Sequence, residues 1–217
     1  ILDAVSNLAV DKRMIAAYQA DADLVAFCKH AVIDGTGRIH ILNAIKINGE
    51  GDVFFSGVTD TSSTLASSGA HQTARGGGNS DAFLVKLNSS GQRQWATYYG
   101  GAGEERTNEQ FQTYLTCDVY NNVYMVGRTT SDTGIATTSG VAQTSRSALY
   151  DGYLVKFNKN GVRQWGTYYG GTYDDFLTNV TTDSNGIVYV LGEYKSDSLG
   201  TSGTYAQYWK NFDPTTT

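Results

Sequence analysis

One run of this 217-residue chain occurs twice. Asp81-Ala-Phe-Leu-Val-Lys-Leu-Asn-Ser-Ser-Gly-Gln-Arg-Gln-Trp-Ala-Thr-Tyr-Tyr-Gly-Gly101 returns seventy residues later as Asp151-Gly-Tyr-Leu-Val-Lys-Phe-Asn-Lys-Asn-Gly-Val-Arg-Gln-Trp-Gly-Thr-Tyr-Tyr-Gly-Gly171. A repeat of this period belongs to a solenoid, a propeller or an array, because each unit buries its faces only against its neighbours. Residues needed in every copy serve the scaffold. A unique chemistry would sit where the copies differ.

Around this run lie two further repeated pieces. Asn48-Gly-Glu-Gly-Asp-Val-Phe-Phe-Ser-Gly57, Asp118-Val-Tyr-Asn-Asn-Val-Tyr-Met-Val-Gly127 and Asp183-Ser-Asn-Gly-Ile-Val-Tyr-Val-Leu-Gly192 each join a polar turn to a β-branched and aromatic run. That is hairpin chemistry. A Ser-Gly marker follows each, at Ser68–Thr73, Ser139–Thr144 and Ser202–Gln207. Strands are therefore predicted at 39–48, 52–58, 81–87 and 93–99, again at 112–119, 122–128, 151–157 and 163–169, and at 177–183 and 187–193. Charged residues are only 17% of the chain, against 25 Gly, 15 Tyr and a single Pro, which suits strands and turns. No interval has the length and period of a βαβ crossover.

Four short antiparallel strands per 65–70 residues make an all-β chain, read as a partial β-propeller of four-stranded blades. In Trp95–Tyr99, alternation sends Trp95, Thr97 and Tyr99 to one face and Ala96 and Tyr98 to the other. Both faces are aromatic, as in a sheet covered on both sides. Lys86 and Lys156 are expected to reach solvent near the strand ends. The units divide as 1–38, a degenerate half blade or preceding segment; 39–101 and 102–171, two blades; and 172–217, a half blade. Within the first, 13–34 reads as two worn strands with Ala20–Asp23 as their turn, and Ile1, Val5, Leu8 and Ala9 have helical spacing. Two halves and two wholes make three blades, fewer than the roughly four at which rings ordinarily close. A piece of a longer protein, or a ring completed by other chains, is expected.

The long unit from Asp81 to Gly101, with its Val-Tyr-x-x-Gly hairpin, resembles the bacterial β-propeller repeat family called SBBP. The resemblance spans about residues 39–207 and is strongest over 81–193. It implies a seven-bladed type of propeller in large secreted or surface proteins of Bacteroidetes-like bacteria, some exported by type IX secretion. The C-terminal sorting domain of that route is not visible here. The family carries no general catalytic motif.

A net charge of −5, with no Lys/Arg cluster, argues against nucleic acid or an anionic membrane as partner. No apolar run is long enough to span a bilayer. Cys28 and Cys117 fall at different phases of the repeat and make no disulfide framework. His30, His40 and His71 are scattered, without zinc-ligand spacing. Gly-x-Ser-x-Gly is absent, and Arg75-Gly-Gly-Gly-Asn79 lacks the Lys-Ser/Thr of a phosphate loop and reads as a flexible turn.

The metal candidates are the paired acids Glu104, Glu105, Asp174 and Asp175, which follow each Gly-Gly. Calcium needs several hard oxygens converging in a short loop, and each loop offers two. Solvated or backbone-capping carboxylates are the favoured reading, with calcium the alternative; no cofactor is otherwise expected. Adjacent acids on a strand point apart, which suits glycosidase work poorly. Trp95, Trp165, Tyr98, Tyr99, Tyr168 and Tyr169 suit blade packing before sugar stacking. The loops 59–80 and 129–150 differ between copies and are the better binding surfaces. The formal glycosylation sequons at Asn88 and Asn179 carry no weight in a bacterial protein. The expectation is a non-enzymatic interaction or adhesion scaffold at the bacterial cell surface, with protein or glycan partners. The alternatives are a carbohydrate-binding or carbohydrate-processing propeller and a structural subunit of an outer-membrane assembly.

Overall fold

Five tight turns of one design set the strand register. Asn48, Asn88, Asp118, Asn158 and Asp183 each accept, through a side-chain oxygen, the backbone N–H groups two and four residues on, at 2.8–3.1 Å. Such an Asx cap replaces backbone pairing lost in the turn. The residue three beyond each cap is left-handed: Gly51, Gly91, Gly161 and Gly186 at φ of 80–81°, and Asn121 at 64°. Glycine takes that conformation without a Cβ penalty, and Asn is the best of the others.

The computed structural model describes residues 24–28, 31–34, 39–60, 65–105, 114–137 and 140–196, with side chains from Ala44 onward. The strands are β1 (Leu24–Cys28), β2 (Ala31–Asp34), β3 (Ile39–Ile47), β4 (Val53–Thr59), β5 (Asp81–Leu87), β6 (Arg93–Tyr99), β7 (Tyr114–Cys117), β8 (Val123–Thr129), β9 (Asp151–Phe157), β10 (Arg163–Tyr169), β11 (Asp175–Thr182) and β12 (Val188–Tyr194). All pairings are antiparallel, and there is no helix among the described residues. They form a six-stranded sheet β1–β6 in chain order, a four-stranded sheet β10-β9-β8-β7, and the pair β11-β12. The chain is all-β, as its repeat predicts. The helical spacing at 1–12, the turn at Ala20–Asp23, His30 and the marker at Ser202–Gln207 lie outside the described residues.

Strands β1 and β2 fall in the stretch read as the end of a preceding blade; they pair with each other, and β2 pairs with β3.

Each sheet has a forward and a backward face. Aligned on Gly57, Gly127 and Gly192, the forward residues are Phe54 and Ser56, Tyr124 and Val126, Tyr189 and Leu191. Phe54, Leu84 and Tyr99 of the first sheet pack with Val123, Met125, Tyr153, Val155 and Phe157 on the back of the second. Tyr124 and Val126 in turn meet Leu177, Val180, Val188 and Val190 of the third. The alternation within Trp95–Tyr99 holds: Trp95 and Tyr99 belong to the first interface, Ala96 and Tyr98 to the opposite face with Val53, Phe55, Phe83 and Val85. Each such fully buried side chain contributes about 1.5–3 kcal/mol, so these interfaces are what hold the sheets together. The first strand of each unit gathers at one side, β7 touching both β3 and β11.

The lysines correct a sequence expectation. Lys86 is buried, not solvated. Its ammonium pairs with Asp52 at 2.8 Å, lies 5.6 Å from the Phe54 ring centroid and donates to the Lys159 carbonyl. Lys156, half-buried, makes the matching ion pair with Asp118 at 3.7 Å and lies 5.1 Å from the Tyr124 ring centroid. A buried cation requires such partners.

Candidate functional site

The loops between the second and third strands of each unit, and the Gly-Gly segments after the fourth, carry much of the buried polar chemistry. Gln72, from the first Ser-Gly marker, donates its side-chain amide to Asp81 Oδ2 (3.2 Å) and accepts from the Gly100 N–H (3.1 Å). Its backbone bridges to Thr97 and Tyr98. Gln143 repeats every one of these bonds with Asp151, Gly170, Thr167 and Tyr168. The glutamine thus clamps the start of one strand to the end of the next. Sequence reasoning found the marker but not its role, because the partners lie 9 and 28 residues away.

The four acidic candidates separate into two kinds. Glu105 is buried: Oε1 accepts from Thr129 and Ser131 hydroxyls (both 2.6 Å) and Oε2 from the Gly101 N–H (3.1 Å). Asp175 plays the same part in the next unit, accepting from the Gly171 N–H (2.7 Å), the Ser196 hydroxyl (2.7 Å) and the backbone of Lys195 and Ser196. Glu104 accepts from the Asn79 side-chain amide, and Asp174 from the Tyr150 N–H at 3.1 Å. Their oxygens face N–H and O–H donors, and a backbone N–H cannot be turned away to admit a cation. Each pair is therefore split between a buried loop pin and a more exposed cap. Among the described residues, no group of three or more His, Cys, Asp or Glu is placed to hold a metal ion.

Gly100 shows how tight this junction is. A Cβ there would stand 2.1 Å from Glu105 Oε2 and 2.8 Å from Asp81 Oδ2, so the two carboxylates flank one backbone position. Burial, reinforced by the Asp81 charge, lifts Glu105 to about 7 against the pull of its Ser131, Thr129 and Gly101 donors. Burial also raises Asp81, despite Gly76, Arg75 and Gln72. Nearby, the Tyr153 hydroxyl is buried without a hydrogen-bond partner. Glu105 itself is enclosed: it is 1% exposed. The Arg75–Asn79 loop is also firmly held. Arg75 donates to the Asp60, Gly77 and Gly78 carbonyls, and Gly76 packs on the backbone of Gly100 and Gly101.

An open cleft of about 650 Å³ lies between the first two sheets, lined by Ser68, His71, Gln94, Trp95, Lys159 and Arg163 among others. Trp95 Nε1 donates to the Lys159 carbonyl at 3.1 Å, and the indole lies on Gly161. The His71 ring lies 5.7 Å from Phe157 and 6.1 Å from Tyr99. Partial enclosure, with the Arg163 charge, lowers His71 to about 4. Trp165 packs within the second interface beside Tyr124. Cys117 is a free thiol, pushed up to about 12 by burial and so poorly suited to nucleophilic work.

No family model matches the chain. Among curated proteins it is similar to the regulatory protein FlaEY of Caulobacter vibrioides, 28% identical over 127 residues. That match takes in 58% of this chain and 13% of FlaEY, so the chain spans only a small part of the relative's length.

Proposed function

We propose that this chain is a non-enzymatic β-propeller segment of an exported bacterial cell-surface protein, acting as an interaction or adhesion scaffold. One observation carries the reading: the repeated polar residues are consumed by the scaffold itself. Asp81 and Asp151 hold the loops that precede their own strands, while Gln72, Gln143, Glu105 and Asp175 bond to the Gly-Gly segments that lead to the next sheet. In the segments that differ between units, 65–80 and 140–150, about half of the residues are exposed. The gathering of β3, β7 and β11 at one side supports blades radiating from an axis. The small share of FlaEY matched supports a module used within a longer protein. The likeness of the repeat to SBBP units supports surface export.

A second reading, carbohydrate binding, is favoured by the Trp95 cleft, where an indole edge adjoins Gln94, Lys159 and Asn160. One experiment separates the two. The purified chain is offered bacterial cells and a glycan array. Scaffold function expects saturable cell binding that disappears when the exposed side chains of 144–149 are replaced by Ser and Gly, with folding unchanged. Binding that survives this change but is lost on Gln94→Ala favours the cleft. No binding to cells or glycans overturns both.

A further inference from the structure

The cleft beside Trp95 departs from the charge of the chain as a whole. The chain carries a net charge of −5, yet the cleft is lined by Lys86, Lys159 and Arg163 and by no aspartate or glutamate. Two of these cations are answered from outside the lining, Lys86 by Asp52 at 2.8 Å and Lys159 by Glu50 at 3.5 Å. Arg163 is different. Its Nη1 donates to the Gly134 and Ile135 carbonyls at 3.2 and 3.3 Å, and among the described residues no carboxylate pairs with it. Two carbonyls hold the guanidinium in place without cancelling its charge, and further N–H donors of its fork remain available.

The cleft is also a place where the copies differ. Aligned on Gly91 and Gly161, Lys159, Asn160 and Val162 replace Ser89, Ser90 and Gln92. Aligned on the Ser-Gly markers, His71 stands where the second copy has Ala142. The scaffold does not require these side chains, since the other copy forms its strands without them. The Lys159 backbone is a separate matter. Its carbonyl receives Trp95 Nε1 at 3.1 Å and Lys86 Nζ at 3.2 Å, bonds that do not depend on the side chain it carries.

We propose that this cleft is a binding site for an acidic sugar, whose carboxylate is held by Arg163 and Lys159. The sugar rests on the carbohydrate-binding reading of the same cleft, whereas the carboxylate rests on the charge of the lining. A guanidinium held by neutral partners suits a planar carboxylate, which takes two N–H bonds at once. Lys159, exposed at the rim, adds a second positive charge. Ser68, Gln94 and Asn160 supply hydroxyl and amide groups for sugar hydroxyls, and Val162, 56% exposed, supplies apolar surface for a ring face. A volume of about 650 Å³ is that of an ordinary small-ligand site.

The probes are trigalacturonate, its methyl ester, which keeps the rings and removes the charge, and inorganic phosphate. Each is titrated calorimetrically against the full 217-residue chain. Trigalacturonate should bind one-to-one, and more weakly as salt is raised. The methyl ester should bind at least about tenfold more weakly, since charge-assisted hydrogen bonds are lost. Arg163→Gln should weaken trigalacturonate by a similar factor of about ten. Lys159→Gln should weaken it by about threefold and leave the unfolding midpoint unchanged, because that side chain is exposed. The second variant keeps the test decisive if Arg163→Gln loosens the loop at Gly134. Equal binding of acid and ester overturns the proposal and leaves the carbohydrate reading standing. No binding of either sugar overturns both for this cleft. Displacement by phosphate at the same concentration overturns it as well, because the site then takes any anion. So does an affinity unchanged in both variants, which places the ligand elsewhere.

Discussion

The second and third sheets present the same strand to different surroundings. Tyr124 and Val126 lie under the third sheet, while Tyr189 and Leu191, at the same positions, stand in the open. The strands share their Val-Tyr-x-x-Gly pattern, so the local sequence cannot account for the difference. The neighbouring sheet decides it. A repeat unit carries the chemistry of an interface whether or not that interface is filled, which is the energetic logic of stacked repeats. The sharpest way to break this comparison is to truncate both tyrosines. Tyr124→Ala should cost about 3–5 kcal/mol, because it opens a cavity between two sheets. Tyr189→Ala should stay within about 0.5 kcal/mol, as exposed positions do. Urea unfolding of the two variants measures both, and equal losses would mean that the third sheet does not cover the second.

The comparison extends to charge. Glu105 is enclosed at the junction of the first two sheets, whereas Asp118 sits in a turn. Desolvation works against Asp118 as well, but the donors of Asn122, Tyr124 and Tyr120 outweigh it and hold its carboxyl below the usual value. The two therefore act on stability with opposite signs. Glu105, raised from 4.5 to about 7, binds a proton more readily folded than unfolded. Its contribution is fully present below pH 4.5 and is lost as pH rises through 7. The contribution of Asp118 is present above pH 3.8 and is lost as pH falls through its lowered folded value. His71, lowered to about 4, loses its share as pH falls from 6.5 toward 4, against the Glu105 trend. Glu105→Gln should accordingly flatten the fall in stability between pH 5 and 8 by an amount on the order of 1–3 kcal/mol. Unfolding midpoints at several pH values test this. A slope unchanged by the substitution would remove Glu105 as its source.

Much of this architecture was legible in the repeat. Strands at 81–87, 93–99, 151–157 and 163–169 stand where turn chemistry and alternation place them. Period-two burial and Asx-Gly turns are local physics, and local physics is written in short windows of sequence. Lys86 was misread for the opposite reason. A lysine near a strand end ordinarily reaches water, and here the cross-strand Phe54, Asp52 and the Lys159 carbonyl make burial favourable. The acidic candidates were legible as repeated positions but not as roles. Glu105 takes its donors from Thr129 and Ser131, 24 and 26 residues on, a distance set by packing.

The smallest effect probes the left-handed position of the turns, which the two sheets fill with different residues. Asn121 holds φ of 64° in the turn before β8, and Gly186 holds 80° in the turn before β12. Both positions follow an aspartate cap, so exchanging the residues isolates the backbone preference. Asn121→Gly removes the Cβ penalty of the left-handed conformation and should stabilise by about 0.5 kcal/mol. Part of that gain is offset by loss of the exposed bond from Asn121 to Glu50. The mirror change, Gly186→Asn, should cost about as much. Space is not the obstacle there, since the nearest atom to a new Cβ would be Tyr120 Cε2 at 3.7 Å. A matched gain and loss in thermal unfolding would show that the two turns are interchangeable units. A gain at 121 with no loss at 186 would show that only the covered sheet transmits turn strain into global stability, while β11 and β12 can loosen without unfolding the rest.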